Sequence, residues 1–133
     1  MATQNKHFIF TFGVTAEFFT DADMYKIIDR VTGGLAATGE TAAGVLQGLS
    51  NEGDAAADLP VGTWGEMKAR TSEEITTRGA ALTVDTGGFV KPAAVDDYVV
   101  GYFRFGTNGA YTAAAGDIIT GMFDFITPVK MTA

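Results

Sequence analysis

Few residues of this chain have side chains suited to catalysis. His7 is the sole histidine and cysteine is absent, so a Ser-His-Asp or Cys-His arrangement would have to be built on His7. The sequence contains no Gly-x-Ser-x-Gly elbow, no Walker loop and no Gly-x-Gly-x-x-Gly motif. His7 is more simply read as a solvent or interface residue. We therefore expect neither an enzyme nor a bound cofactor.

Three short acidic segments could in principle contribute carboxylates to a site. Asp21-Ala22-Asp23 and Asp96-Asp97 offer oxygen ligands, but neither has the alternating ligands and glycine of a calcium loop. Turn and capping roles are the better interpretation of both. Glu73-Glu74 is better read as the solvated start of a helical turn than as a general acid and base. We expect no metal site.

Trp64 lies in the segment 61–65, between two glycines. An exposed indole there could stack on a sugar or anchor a protein interface, although packing in the core is the favoured interpretation. The aromatic residues further along the chain are also expected mostly in the core, namely Tyr98, Tyr102, Phe103, Phe105, Tyr111, Phe123 and Phe125. A carbohydrate-binding platform would need several rings on one exposed face.

Length and charge narrow the class of protein. The 133 residues suit one domain with a true core, and the net charge is −7. Its nine cations run from Lys6 to Lys130 without forming a cluster, so no nucleic-acid partner is expected. The polar start and the interrupted apolar run from Phe8 to Phe19 predict neither a signal peptide nor a membrane span.

Residues 1–20 are predicted to form an extended N-terminal arm. Phe8, Phe10 and Phe12 alternate with other residues at the period of a strand. Segment 7–19 contains five of the ten phenylalanines of the chain, so it requires a surface to cover it. Residues 21–133 are expected to form a single β domain.

The body contains one pattern twice. Segments 30–37 and 84–91 each contain a Thr-Gly-Gly turn between two stretches expected to be strands. Further along, each segment is followed by two apolar residues, a glycine and two more apolar residues, at 42–46 and at 99–103. The glycine pairs supply the positive φ angles that tight hairpin turns need. These turn-forming residues are Gly33, Gly34, Gly87 and Gly88. The two copies of the pattern predict an internal two-fold pseudo-repeat, with halves at about 24–66 and 67–126.

The predicted fold is all-β, a compact β-barrel or β-sandwich of short strands with at most one or two short helical turns. Ser72–Ile75 could form one such turn. Glycines inside strands, at Gly44, Gly101 and Gly121, mark bulges, bends or close backbone approach. Strands are expected at 24–31, 34–37, 42–48, 55–61, 63–69, 80–85, 88–91, 97–105 and 117–126.

These motifs carry a family resemblance over roughly residues 24–126. The Thr-Gly-Gly turn, Ala-Gly-Val-Leu-Gln-Gly at 43–48, Glu-Gly-Asp at 52–54, Val-Val-Gly-Tyr-Phe at 99–103 and Ala-Gly-Asp-Ile-Ile at 115–119 follow one another in order. This order resembles the small capsid decoration, or cement, proteins of tailed bacteriophages. The Phe-rich arm departs from the pattern.

The resemblance implies a structural virion protein, made in the host cytoplasm and bound to the outer surface of the expanded capsid. Its partners would be the major capsid protein and itself, as a homotrimer, with dimer or monomer still open. We expect residues 7–19 of the arm to pair with the edge of a sheet in another protein. Full occupancy of the capsid by a variant that lacks residues 7–19 would contradict that role. The expected interface residues are Phe8, Ile9, Phe10, Phe12, Val14, Phe18, Phe19 and Trp64.

An alternative of another class stays open at this point. A carbohydrate-binding or adhesin-type module would also be acidic, rich in β-strands and free of cysteine. The discriminating observation is whether glycans change the fluorescence of Trp64.

Overall fold

A computed structural model describes residues 8–13, 21–47 and 58–132 of the chain. This part is mainly β, with 3₁₀ turns at Asp21–Asp23 and Thr107–Gly109 and no α-helix. Its strands are β1 Phe8–Gly13, β2 Ile27–Asp29, β3 Ala42–Leu46, β4 Asp58–Arg70, β5 Ala81–Asp85, β6 Phe89–Pro92, β7 Tyr98–Val99, β8 Gly101–Phe105, β9 Ile118–Asp124 and β10 Val129–Lys130.

Seven strands form a nearly closed, barrel-like sheet in the order β2-β3-β4-β9-β8-β5-β6. Neighbouring strands in this order run antiparallel. The two ends of the sheet approach each other where the amide of Ile27 donates to the carbonyl of Gly88 at 2.8 Å. Near the end of β4, the amide of Ser72 donates to the carbonyl of Val90 at 2.9 Å. The prediction of a mainly-β barrel or sandwich is confirmed, and the sheet takes the barrel-like form.

The core follows from the two-residue period of the strands. In β4 Val61, Thr63, Met67 and Ala69 are buried, whereas Trp64 and Lys68 on the opposite face are exposed. Ile119 and Phe123 are likewise buried in β9. Phe103 of β8 is among the largest fully buried side chains in the described residues. The barrel interior is therefore packed with side chains rather than open.

Strand β4 is one strand of 13 residues where the sequence predicts two, at 55–61 and 63–69. The expected break at Gly62 is wrong because Gly62 stays in the ladder, paired with both Ile9 and Val45. Strand β1 pairs with residues 58–64 of β4, and β9 pairs with residues 64–70. Trp64 therefore has a partner in each of these strands, Phe8 in β1 and Asp124 in β9.

Three glycines surround the ring of Phe123. Gly65 of β4 and Gly101 of β8 are its two cross-strand partners, and Gly121 lies two residues earlier on the same face of β9. A Cβ added at Gly101 would lie 2.5 Å from the ring, and one added at Gly121 would lie 2.8 Å from it. The prediction of close approach at Gly101 and Gly121 is confirmed. We call these glycines the Phe123 seat.

The two Thr-Gly-Gly turns reverse the chain to different extents. Gly33, Gly87 and Gly88 have positive φ angles, as predicted, whereas Gly34 does not. The second turn closes the β5–β6 hairpin with four residue pairs. The first is followed only by an isolated bridge between Ile28 and Leu35, so the strand predicted at 34–37 is wrong. The two-fold pseudo-repeat stays a prediction.

The helical turn predicted at Ser72–Ile75 does not form. Ile75 is instead fully buried and forms an antiparallel bridge with Ala113. Burying this side chain and pairing its backbone outweighs the helix-start preference of the preceding residues. No helix in the described residues is long and apolar enough to cross a membrane.

Candidate interaction surface

The outer face of β4, β8 and β9 exposes large apolar side chains close together. The exposed fractions are 54% for Trp64, 56% for Tyr102, 44% for Met122 and 68% for Val129. Together with Val99 these residues line a cleft of about 390 Å³. Contiguous exposed apolar surface of this kind is typical of interaction sites. We call this surface the apolar cleft.

The register of three strands places these side chains on one face. Tyr102 and Glu66 are the two cross-strand partners of Met122, and Trp64 pairs with Asp124 one step along. The residues that alternate with these side chains along the strands, such as Gly121, are buried and face the core. The outward direction of the aromatic and methionine side chains is therefore a consequence of how the core is packed.

The small β7–β10 sheet forms one wall of the cleft. Val129 pairs with Val99, and the amide of Met131 donates to the carbonyl of Asp97 at 2.8 Å. The amide of Asp96 in turn donates to the carbonyl of Met131 at 2.9 Å. These bonds hold the C-terminal segment beside the barrel, where it completes the cleft.

The charged side chains in and near the cleft form hydrogen bonds or ion pairs with other residues of the same chain. Asp124 accepts hydrogen bonds from the amides of Ile126 and Thr127 and, at 2.9 Å, from the Thr127 hydroxyl. Burial raises the pKa of Asp124, but these hydrogen bonds outweigh it and hold the pKa below the usual value. On the neighbouring strands Arg104 forms an ion pair with Glu66. The cleft lining therefore combines apolar side chains with one carboxylate, that of Asp124, which already accepts three hydrogen bonds within the chain.

Trp64 is exposed, so the expectation that it packs in the core is wrong. Its neighbours Thr63 and Gly65 are buried, and alternation along β4 then directs the indole outward. Of the other aromatic residues, Phe103, Phe123 and Phe125 are buried as predicted. Tyr102 and Tyr111 are instead exposed.

The predicted arm residues fall in two groups. Phe8, Ile9, Phe10 and Phe12 lie in β1, which pairs antiparallel with β4. Within the described residues β1 has no other strand partner, so its second edge is not paired there. Phe8, at the start of β1, is the cross-strand partner of Trp64, which lines the apolar cleft. Val14, Phe18 and Phe19 lie outside the described residues, as does His7.

Sequence reasoning did not single out Tyr102, Met122 and Val129 as surface residues. The signal available for the first two was their position beside Gly101 and Gly121, because an inward glycine places its neighbour outward. Val129 carried no such signal, because the two-residue strand β10 depends on pairing with the distant β7.

The acidic segments take structural roles in the described residues. Asp97 accepts a hydrogen bond from the amide of Ala94 at 2.9 Å, which closes a turn. Asp23 pairs with Lys26 at 3.3 Å. No group of three or more potential ligand residues is found in the part of the chain that the structure describes, so no metal centre is defined there.

Asp29 and Asp85 support the two Thr-Gly-Gly segments. Burial raises the pKa of Asp29, but hydrogen bonds from the Thr41 hydroxyl and two backbone amides outweigh it and leave the pKa below its usual value. The pKa of Asp85 is lowered chiefly by the hydrogen bond from the Ser72 hydroxyl, at 2.6 Å. Both carboxylates therefore hold loops, and Asp85 also lines an open polar pocket of about 560 Å³.

The described residues thus define a mainly β, barrel-like protein with an apolar outer cleft. Comparison with known proteins adds no relative, because no family model, curated protein or solved structure matches this chain significantly.

Proposed function

We propose that this protein is a structural virion protein that binds the outer surface of an expanded phage capsid and stabilises contacts between capsomers. The observation that carries the proposal is that β1, with an edge unpaired in the described residues, starts beside exposed Trp64. The resemblance of the Thr-Gly-Gly and Ala-Gly-Asp segments to capsid decoration proteins supplies the partner, the major capsid protein.

A strand edge is a suitable device for binding a protein shell. Its backbone N–H and C=O groups can pair with a strand of the partner, which gives affinity without requiring a particular side-chain sequence. Among the described strands β4 holds one edge of β1, so the second edge is there a pre-formed strand edge. Because less conformational entropy is lost when a pre-formed strand binds, such an edge binds better than a disordered segment.

The proposal is tested by co-sedimentation with expanded and unexpanded shells of the major capsid protein from the same genome. Saturation at a fixed ratio of bound copies to capsid subunits on expanded shells is the expected result. Absence of binding to both kinds of shell contradicts the proposal. A variant lacking residues 1–13 should lose most binding, whereas Tyr111→Ala, at an exposed residue outside the cleft and the arm, should bind normally. Circular dichroism checks that both variants are folded.

A carbohydrate-binding or adhesin-type module is the second candidate, favoured by one observation. Trp64 and Tyr102 are both exposed and line the same cleft. The neighbouring Asp124 already accepts three hydrogen bonds, which leaves it less able to bind sugar hydroxyls. Met122 and Val129 in the same cleft also favour a protein partner over a sugar. Titration with a glycan panel, followed by Trp64 fluorescence, tests this candidate.

A further inference from the structure

We propose that a pocket at the end of β4 binds a phosphate group. The pocket has a volume of about 500 Å³ and shares no lining residue with the apolar cleft. Strands β4 and β9 line it together with the turns at 106–108 and 116–117. We call it the cationic pocket. Its polar lining residues are Lys68, Arg70, Thr107, Asn108, Asp117 and Thr120.

Two cations without a carboxylate partner share this pocket, in a chain whose net charge is −7. Lys68 and Arg70 are two residues apart in β4, so both side chains lie on the outer face of the strand. Neither forms an ion pair in the described residues, whereas Lys26, Lys91 and Arg104 each do. The pocket is therefore a local positive field on an acidic protein, and such a field attracts anions.

The chain itself orients the guanidinium group of Arg70. Its Nε donates a hydrogen bond of 2.7 Å to the carbonyl of Met24. The side chain makes no other hydrogen bond within the described residues, so its two terminal nitrogens can donate to a ligand. A guanidinium group matches two oxygens of a phosphate at once. Because Arg70 is already held, less freedom is lost when it binds.

Neutral donors complete the pocket. Thr107, Asn108 and Thr120 line it, and their side chains form no hydrogen bond among the residues that the structure describes. Thr120 is the cross-strand partner of Lys68, whereas Thr107 and Asn108 belong to the turn after β8. Donors from several elements suit a tetrahedral phosphate, which has oxygens on all sides, better than a planar carboxylate with two oxygens.

One carboxylate, that of Asp117, also lines the pocket. Its Oδ2 accepts a hydrogen bond from the amide of Ala114 at 3.0 Å, and its backbone carbonyl accepts one from the amide of Thr71 at 3.0 Å. Two cations and one carboxylate leave the pocket with one net positive charge. A phosphate monoester carries a charge of about −1.5 to −2 near pH 7, so it gains more from this field than a singly charged carboxylate does.

Titration of the full-length chain with inorganic phosphate, followed by amide NMR spectra, tests this proposal. At neutral pH and constant ionic strength we expect saturable shifts at 106–108 and 116–120, with a dissociation constant on the order of 1 mM. Acetate is the planar control and should bind about tenfold more weakly or less.

Glucose 6-phosphate and glucose distinguish the two sources of a phosphate group. Tighter binding of the ester than of inorganic phosphate, with no binding of the free sugar, supports a phosphorylated ligand. Equal binding of the ester and inorganic phosphate supports a site for the phosphate group alone. Binding of glucose as tight as that of its phosphate contradicts the proposal.

Lys68→Gln and Lys130→Gln form a matched pair of variants. Each removes one positive charge from an exposed lysine whose ammonium lies over a tyrosine ring, Tyr25 at 5.9 Å or Tyr98 at 5.6 Å. Only Lys68 lines the cationic pocket. Lys68→Gln should raise the dissociation constant for phosphate about threefold or more, whereas Lys130→Gln should leave it unchanged.

Asp117→Asn should act in the opposite direction. Asparagine can still accept the hydrogen bond from Ala114 but carries no charge, so the dissociation constant should fall about twofold. The proposal is overturned if the shifts do not saturate or if acetate binds as tightly as phosphate. It is also overturned if the two lysine variants, folded by circular dichroism, weaken binding equally. These measurements need no capsid shell, so their outcome is independent of the proposed function.

Discussion

The Phe123 seat predicts an energetic coupling between Gly121 and Phe123. A methyl group at Gly121 would lie 2.8 Å from Cε2 and 2.9 Å from Cζ of the Phe123 ring, and 3.0 Å from the carbonyl oxygen of Tyr102. Comfortable carbon contacts begin at about 3.5 Å. The ring is 3% exposed and stacks on Phe125 at 5.6 Å, which restricts its retreat. Gly121→Ala should therefore lower the free energy of unfolding by about 1–3 kcal/mol.

Phe123→Leu should relieve most of this clash, because leucine lacks the two ring atoms nearest the added methyl. Truncating a buried phenylalanine to alanine costs about 3–5 kcal/mol, so the smaller change to leucine should cost about 1–2 kcal/mol. The double variant should then be at least about 1 kcal/mol more stable than the sum of the single changes predicts. The favourable coupling arises because the leucine leaves room for the methyl group.

Urea unfolding followed by far-ultraviolet circular dichroism measures all four members of the cycle. Gly79→Ala is the matched control, because Gly79 has a φ of +74° with no atom within 4 Å of an added Cβ. It should cost about 1 kcal/mol from backbone strain alone and add independently to Phe123→Leu. The reasoning is refuted if Gly121→Ala and Phe123→Leu are additive to within about 0.5 kcal/mol.

Three further predictions concern polar contacts. Asp29→Asn should lower the free energy of unfolding by about 1–2 kcal/mol at neutral pH. The pKa of Asp29 in the folded protein is below 3.8, so the ionised carboxylate stabilises the fold above the pKa of the unfolded chain and this stabilisation is lost as the pH falls through the lowered pKa. Urea titrations at a series of pH values should therefore show the difference in stability between the two proteins shrinking in that acidic range. Ser72→Ala should raise the pKa of Asp85 toward 3.8, and an unchanged pKa in a carboxyl NMR titration would contradict the assigned cause. Arg104→Gln should lower the free energy of unfolding by less than about 1 kcal/mol, because the Arg104 side chain in the ion pair with Glu66 is 44% exposed and water weakens the attraction; a greater loss measured by calorimetry would contradict this weak pairing.

The parts of the fold that depend on local patterns could be predicted from the sequence. Glycine pairs predict the hairpin turn before Phe89, because positive φ angles are a local requirement. Glycines inside strands predict close packing at Gly101 and Gly121 for a similar reason, since the missing Cβ has to accommodate a neighbour. The aromatic residues expected in the core were predicted only in part, because Phe103, Phe123 and Phe125 are buried whereas Tyr102 and Tyr111 are exposed.

The candidate site could be predicted only in part, because it depends on pairing between distant strands. Trp64 was identified as a residue of interest, but its direction depends on β4 continuing through Gly62, which reads locally as a break. Tyr102 and Met122 become neighbours only through the register of β8 with β9. Val129 joins them through the two-residue strand β10. Each step depends on a non-local contact that local propensity does not encode.

The antiparallel pairing of β1 with β4 has a mechanical consequence. A force applied to the chain ahead of Phe8, along the strand axis, loads all six β1–β4 residue pairs together in shear. A force across the sheet would instead peel those pairs apart one after another. The same six pairs therefore resist tension strongly in one direction and weakly in the other, so the orientation in which the protein is held decides how firmly its first strand stays attached.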